Sequence, residues 1–169
     1  MPPAATVGVL VNPANAPQTA SEREIVLNAE RTLGRRFIIV NASTPDELEP
    51  AFAALVSERV GAVAVSGETF FLTERNRVVG LAARAMLPTI YPYREYVLAG
   101  GLMSYGTHYS NEVQKVGMST GRILKGEKPA DLPVQQVTKI ELVINLKLAK
   151  ALNLKIPEPL IARADEVIE

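Results

Sequence analysis

Apolar residues arrive in short runs, separated by longer stretches in which they recur every three or four positions. That alternation predicts strands punctuated by helices. Residues 6–11 form a β-branched run that stops at Asn12-Pro13. The polar lead-in that follows reaches Ser21-Glu22-Arg23-Glu24, where Ser21 and Glu24 have the spacing of a capping box. Ile25, Ala29 and Leu33 then repeat at helical spacing until Gly34 closes the helix, and residues 37–40 make a second strand. At Thr44-Pro45 a cap and a proline suited to the first helical position open a second helix, with Leu48, Phe52, Leu55 and Val56 as its buried stripe.

Residues 62–65 are a third strand, residues 72–86 a helix, and Thr89-Ile90 a fourth strand. Strands that are apolar almost throughout, alternating with amphipathic helices, predict a parallel sheet covered on both faces. Past Gly100-Gly101 the alternation loosens into a brief strand at 102–105 and a helix at 110–125 with Val113, Val116, Thr120, Ile123 and Leu124 on one side. A rigid Lys128-Pro129 to Pro133 connector follows, then a strand at 139–144, a short helix closed by Asn153, and a terminal helix after Pro157 and Pro159.

Composition narrows the chemistry. The chain of 169 residues is long enough for one full hydrophobic core. It has no cysteine and a single histidine, His108, so disulfides, thiolate metal sites and cysteine nucleophiles are excluded and a histidine-rich metal centre nearly so. Eighteen basic and eighteen acidic residues cancel without blocks of like charge, leaving no electrostatic footprint for nucleic acid or an anionic membrane. No run reaches the length of a membrane-spanning helix, and Met1-Pro2-Pro3-Ala4-Ala5 lacks the regions of a signal peptide.

In a parallel α/β sheet, ligands bind where the carboxyl ends of the strands meet the loops. The first strand delivers Asn12 and Asn15 to that edge, the third delivers Ser66, Gly67, Glu68 and Thr69, and the fourth delivers Tyr91, Tyr93 and Arg94. Asn12 either shapes a turn or opens a helix whose free N–H groups receive a carboxylate. Glu68 is either a partner for a ligand ammonium or a solvated carboxylate. Arg94 either holds a carboxylate through both nitrogens or pairs with Glu95 or Glu68. Tyr91 and Tyr93 either flank a ring or pack in the core or at the rim. Four of the five tyrosines fall between positions 91 and 105, beside the Gly100-Gly101 pair, which marks this stretch as a candidate small-molecule surface. The spacing of a nucleotide-binding loop is absent, and His108 has neither a serine elbow nor an acidic orienter, so it reads as a loop residue.

Several segments in shared order carry a resemblance. They are Val9-Leu10-Val11-Asn12-Pro13, Leu87-Pro88-Thr89-Ile90-Tyr91-Pro92, Ala99-Gly100-Gly101-Leu102-Met103-Ser104-Tyr105-Gly106, and the stretches 123–136, 139–147 and 162–166. Together they resemble the bacterial ABC-transporter substrate-binding proteins of the tryptophan/tyrosine-binding type, over about the latter half of such proteins. The resemblance implies one lobe of a type I periplasmic-binding-protein fold, a Rossmann-like parallel sheet sandwiched by helices, with no cofactor, metal or catalysis. It implies an α/β ligand-binding lobe at 1–100, a crossover strand, helix and connector at 101–136 toward a first lobe, and a returning strand with C-terminal helices at 137–169. The strand-end loops with Asn12, Asn15, Ser66, Glu68, Thr69, Tyr91, Tyr93 and Arg94 would then line the cleft.

The implied partners are a small amino-acid-like or aromatic solute and an ABC permease. The full-length family is periplasmic, whereas this chain, without a signal peptide, is expected to be cytoplasmic. With the first lobe outside the sequence, the apolar side of the 110–125 helix predicts a homodimer, and affinity for solute is expected to be weak. The Ser66 to Phe70 loop differs from the Asp-Pro-type loop of many members, so the identity of the solute does not carry over. The alternatives are a cytosolic ligand-sensing domain of similar fold and, with less to support it, a small α/β enzyme for which no nucleophile, base and orienter set is found.

Overall fold

The computed structural model describes residues 6–107, 109–133 and 140–169, with the backbone alone at 109–112. The expectations for residues 1–5, His108 and residues 134–139 fall outside that set. The chain runs β1 (Val7–Val11), α1 (Ala16–Leu33), β2 (Phe37–Asn41), α2 (Pro45–Ser57), β3 (Ala62–Val65), α3 (Thr69–Thr73), α4 (Arg75–Arg84), β4 (Thr89–Tyr91), α5 (Arg94–Leu98), β5 (Met103–Thr107), α6 (Tyr109–Leu124), β6 (Ile140–Asn145), α7 (Leu146–Ala151), α8 (Glu158–Ile161) and β7 (Glu166–Ile168). The seven strands among the described residues form one sheet in the order β2-β1-β3-β4-β5-β6-β7. Every pairing is parallel except that of β5 with β6. The predicted α/β class is therefore observed.

Side chains alternate across a sheet, so the registers assign each strand residue to a face. Gly8, Leu10, Val63, Thr89, Tyr91 and Ser104 share one face, while Val7, Val9, Ala62, Ala64, Ile90 and Met103 share the other. On the first face, α2, α4 and α5 complete a core in which Leu10, Leu48, Leu55, Phe71, Val78 and Tyr96 are fully buried. Each of the aliphatic and phenylalanine side chains contributes roughly 1.5–3 kcal/mol by leaving water. On the second face, Val7, Val9, Ala62 and Ala64 are only half-buried and Ile90 is 37% exposed, although it lies in a central strand.

Several boundaries differ from the sequence reading. The first helix starts at Ala16, not at Ser21, because Asn15 caps it and Pro17 fits its first turn, which leaves Ser21 and Glu24 inside the helix. Its buried positions are Thr19 and Val26, whereas Ile25 and Leu33 are exposed. The helix expected at 72–86 is two helices, α3 and α4, that meet at Glu74. The terminal helix shrinks to the four residues of α8, and the last segment pairs beside β6 as β7. Within α2, Leu48, Phe52 and Leu55 are buried as predicted, with Ala51 taking the place expected for the exposed Val56.

Candidate functional site

The carboxyl ends of β1 and β3 lie side by side, since Leu10 pairs with Val65, and their loops meet above the sheet. In the β1 loop, Asn12 is buried and folds the turn: its Oδ1 accepts from the Ala14 amide at 3.1 Å, and its carbonyl accepts from the Asn15 amide at 3.1 Å and from Thr19 Oγ1 at 2.7 Å. Asn15 Oδ1 accepts from the Gln18 amide at 3.5 Å, while the Thr19 amide donates to the Asn15 carbonyl at 3.0 Å. Pro17 lacks an N–H, and the Gln18 and Thr19 amides are bonded within the turn. Of the two readings for Asn12, turn shaping is what the geometry displays.

Asn15 also reaches across the edge. Its Nδ2 donates to Glu68 Oε1 at 2.8 Å, joining the loops after β1 and β3. Glu68 is 8% exposed, not the solvated carboxylate of the simpler reading, and among the described residues no cation pairs with it. Ser66, at the end of β3, is buried too, and its Oγ has no hydrogen-bond partner among the described residues. Thr69 opens α3 with an exposed side chain. Buried polar atoms are ordinarily partnered, so a buried carboxylate without a cation, two residues after a buried hydroxyl without a partner among the described residues, marks this strand-end loop as suited to a polar ligand.

Tyr93 closes one side of this edge: its hydroxyl donates to the Gly67 carbonyl at 3.3 Å. Tyr91 does not reach the edge. Alternation sends it into the core face, where it is 2% exposed and stacked on Tyr96 with ring centroids 4.7 Å apart. Burial raises the pKa of both tyrosines well above the usual phenol value. The Gly100-Gly101 pair serves this stack, because a Cβ on Gly101 would come within 2.6 Å of the Tyr91 ring and 2.8 Å of the Tyr96 carbonyl. A Cβ on Gly106 would lie 1.9 Å from the Pro92 carbonyl oxygen, so β5 runs tight against the loop after β4.

Arg94 pairs with neither Glu95 nor Glu68. Its Nη1 lies 3.3 Å from Glu141 Oε2 and its Nη2 2.5 Å from Glu166 Oε2. Both carboxylates share the α5 face of the sheet, so in this structure the guanidinium ties α5 to β6 and β7 instead of presenting itself to a ligand carboxylate. Glu141 and Glu166 went unrecognised in the sequence, being 47 and 72 residues from Arg94. Thr19, which holds the Asn12 loop, was hidden in a polar lead-in. The structure thus brings Asn12, Asn15, Ser66, Glu68, Thr69 and Tyr93 to one edge and withdraws Tyr91 and Arg94 into packing and pairing. Among the described residues, no cluster of histidine or carboxylate side chains is suited to a metal ion.

A family model described as "ABC transporter substrate binding protein" matches residues 1–168. Among solved structures, the chain is similar to the ABC domain in complex with L-Trp from Streptococcus pneumonia, at 26% identity and a TM-score of 0.84, covering 99% of this chain and 58% of that one. A conserved domain protein from Vibrio cholerae O1 biovar El Tor aligns at 24% identity and a TM-score of 0.86, over 99% of this chain and 56% of that one. A substrate-binding protein with adhesive properties from Clostridium difficile, in a ligand-free, open structure, aligns at 22% identity and 0.68, over 98% and 55%. These last two likenesses concern the fold alone. The chain spans a little over half the length of each of these structures. No curated protein matches it in sequence.

Proposed function

We propose that this chain, which belongs to the ABC transporter substrate binding protein family, is one lobe of the solute receptor of an ABC importer and binds a free amino acid with an aromatic or similar apolar side chain. The role is binding and delivery to a permease outside the cytoplasm, without catalysis. The observation that carries the reading is the Glu68 carboxylate, buried at the strand edge, held by the Asn15 amide and supplied with no cation by the described residues. A ligand ammonium would complete it through a charge-assisted hydrogen bond, with Ser66 Oγ as a further partner and Tyr93 as the aromatic flank. The L-Trp bound to the Streptococcus pneumonia structure supports the amino-acid class.

Closure of a cleft needs a second lobe, and α6 has the row to meet one: Val113, Val116, Ile123 and Leu124 are 40–82% exposed. For this chain by itself we propose a second copy as the cover, giving a homodimer. Light scattering would then return twice the 18.3 kDa of one chain, and a monomer at all concentrations would remove the dimer from the account.

The solute is tested by thermal unfolding in millimolar L-tryptophan, L-tyrosine and the other amino acids, with N-acetyl-L-tryptophan as the control without an ammonium. An aromatic amino acid raises Tm, its N-acetyl form does not, and Glu68→Gln reduces affinity about tenfold or more. Equal stabilisation by both forms, or an unchanged response in Glu68→Gln, rejects the assignment.

A further inference from the structure

We infer a second small-molecule site, at the opposite end of the strands from the Glu68 edge, that takes a compact apolar acid. A cavity of about 560 Å³ opens there on the half-covered face, between the amino ends of β3, β4 and β5 and the segment joining α7 to α8. Ala62, Ile90 and Met103 form its floor, and Leu154, Ile156 and Leu160 its wall. The exposure of Ile90, anomalous for a central strand, is exposure toward this cavity. Its volume is that of an ordinary ligand pocket, and an apolar lining with few polar groups is the usual composition of one.

Charge selects the occupant. Among the described residues, Lys155 is the one charged residue of the lining, and no carboxylate lines the cavity. Among the described residues Lys155 has no ion pair. An apolar pocket with a lysine at its solvent-exposed rim complements a molecule with one acidic head and a hydrocarbon or aryl body, and it disfavours amines and zwitterions. The residues are distinct from those of the Glu68 edge, so the two sites are separable by mutation and by ligand chemistry.

Isothermal titration of the full chain with octanoate, 1-octanol and octylamine tests this. Octanoate binds, octanol binds at least about fivefold more weakly, and octylamine gives no binding heat. Lys155→Met, at an exposed position that can be altered without disturbing packing, removes the preference of octanoate over octanol. Ile90→Trp fills the floor and eliminates binding of both, with circular dichroism to verify that the fold persists. Absence of octanoate binding up to several millimolar, or an octanoate affinity unaffected by Lys155→Met, overturns the proposal.

Discussion

Leu10, Val63 and Tyr91 point to one side of the sheet and lie at or near zero exposure beneath α2, α4 and α5, whereas Val9, Ala64 and Ile90, their neighbours along the same strands, remain half-buried or exposed. The strands are apolar on both sides, so hydrophobicity does not distinguish the faces; what differs is the cover. Three helices interlock over the first face. The second has α1, whose buried contribution is Thr19 and Val26, and the 153–161 segment around the cavity. Stability is therefore concentrated on one side, and open apolar surface on the other.

The comparison breaks most readily at Leu55. Leu55→Ala leaves a void in the tight face and costs about 2–5 kcal/mol, read from urea unfolding; a loss under 1 kcal/mol would mean that this face is no better packed than the other. Gly101→Ala drives a methyl into the Tyr91–Tyr96 stack, costs about 1–3 kcal/mol and changes the near-ultraviolet tyrosine signal. Arg94→Met removes the ion pairs that tie α5 to Glu141 and Glu166; because the side chains of Arg94 and Glu166 are 23% and 41% exposed, solvent reduces the loss to about 1–2 kcal/mol. Ile25→Ala, on the loosely covered side, changes stability by no more than about 0.5 kcal/mol. An equal cost for Ile25 and Leu55 would erase the distinction.

The packed face was largely legible, because local pattern is sufficient for it: β1 to β4 are short apolar runs, and Leu48, Phe52 and Leu55 repeat at helical spacing. The other face was not. Ile25 and Leu33 repeat as well, yet α1 meets the sheet through Thr19 and Val26, a choice made by docking geometry and not by local sequence. The last residues form β7 because β6 offers them a partner, a non-local contact that overrides a weak helical reading. At the site, the strand-end rule leads to Asn15, Ser66 and Glu68 at the sheet edge, but the Asn15–Glu68 hydrogen bond spans 53 residues and could not be seen locally. Tyr91 was misplaced for a countable reason, since alternation from Thr89 sends it into the core. The partners of Arg94 lay too distant in sequence to be seen.

The measurement that bears most directly on the central claim is a backbone amide NMR titration of this chain with millimolar L-tryptophan. Shift changes centred on Asn12 to Asn15 and Ser66 to Thr69, absent in Glu68→Gln, are the predicted result. No change at those amides, or changes confined to Ile90, Met103 and Leu154 at the other end of the sheet, would contradict it.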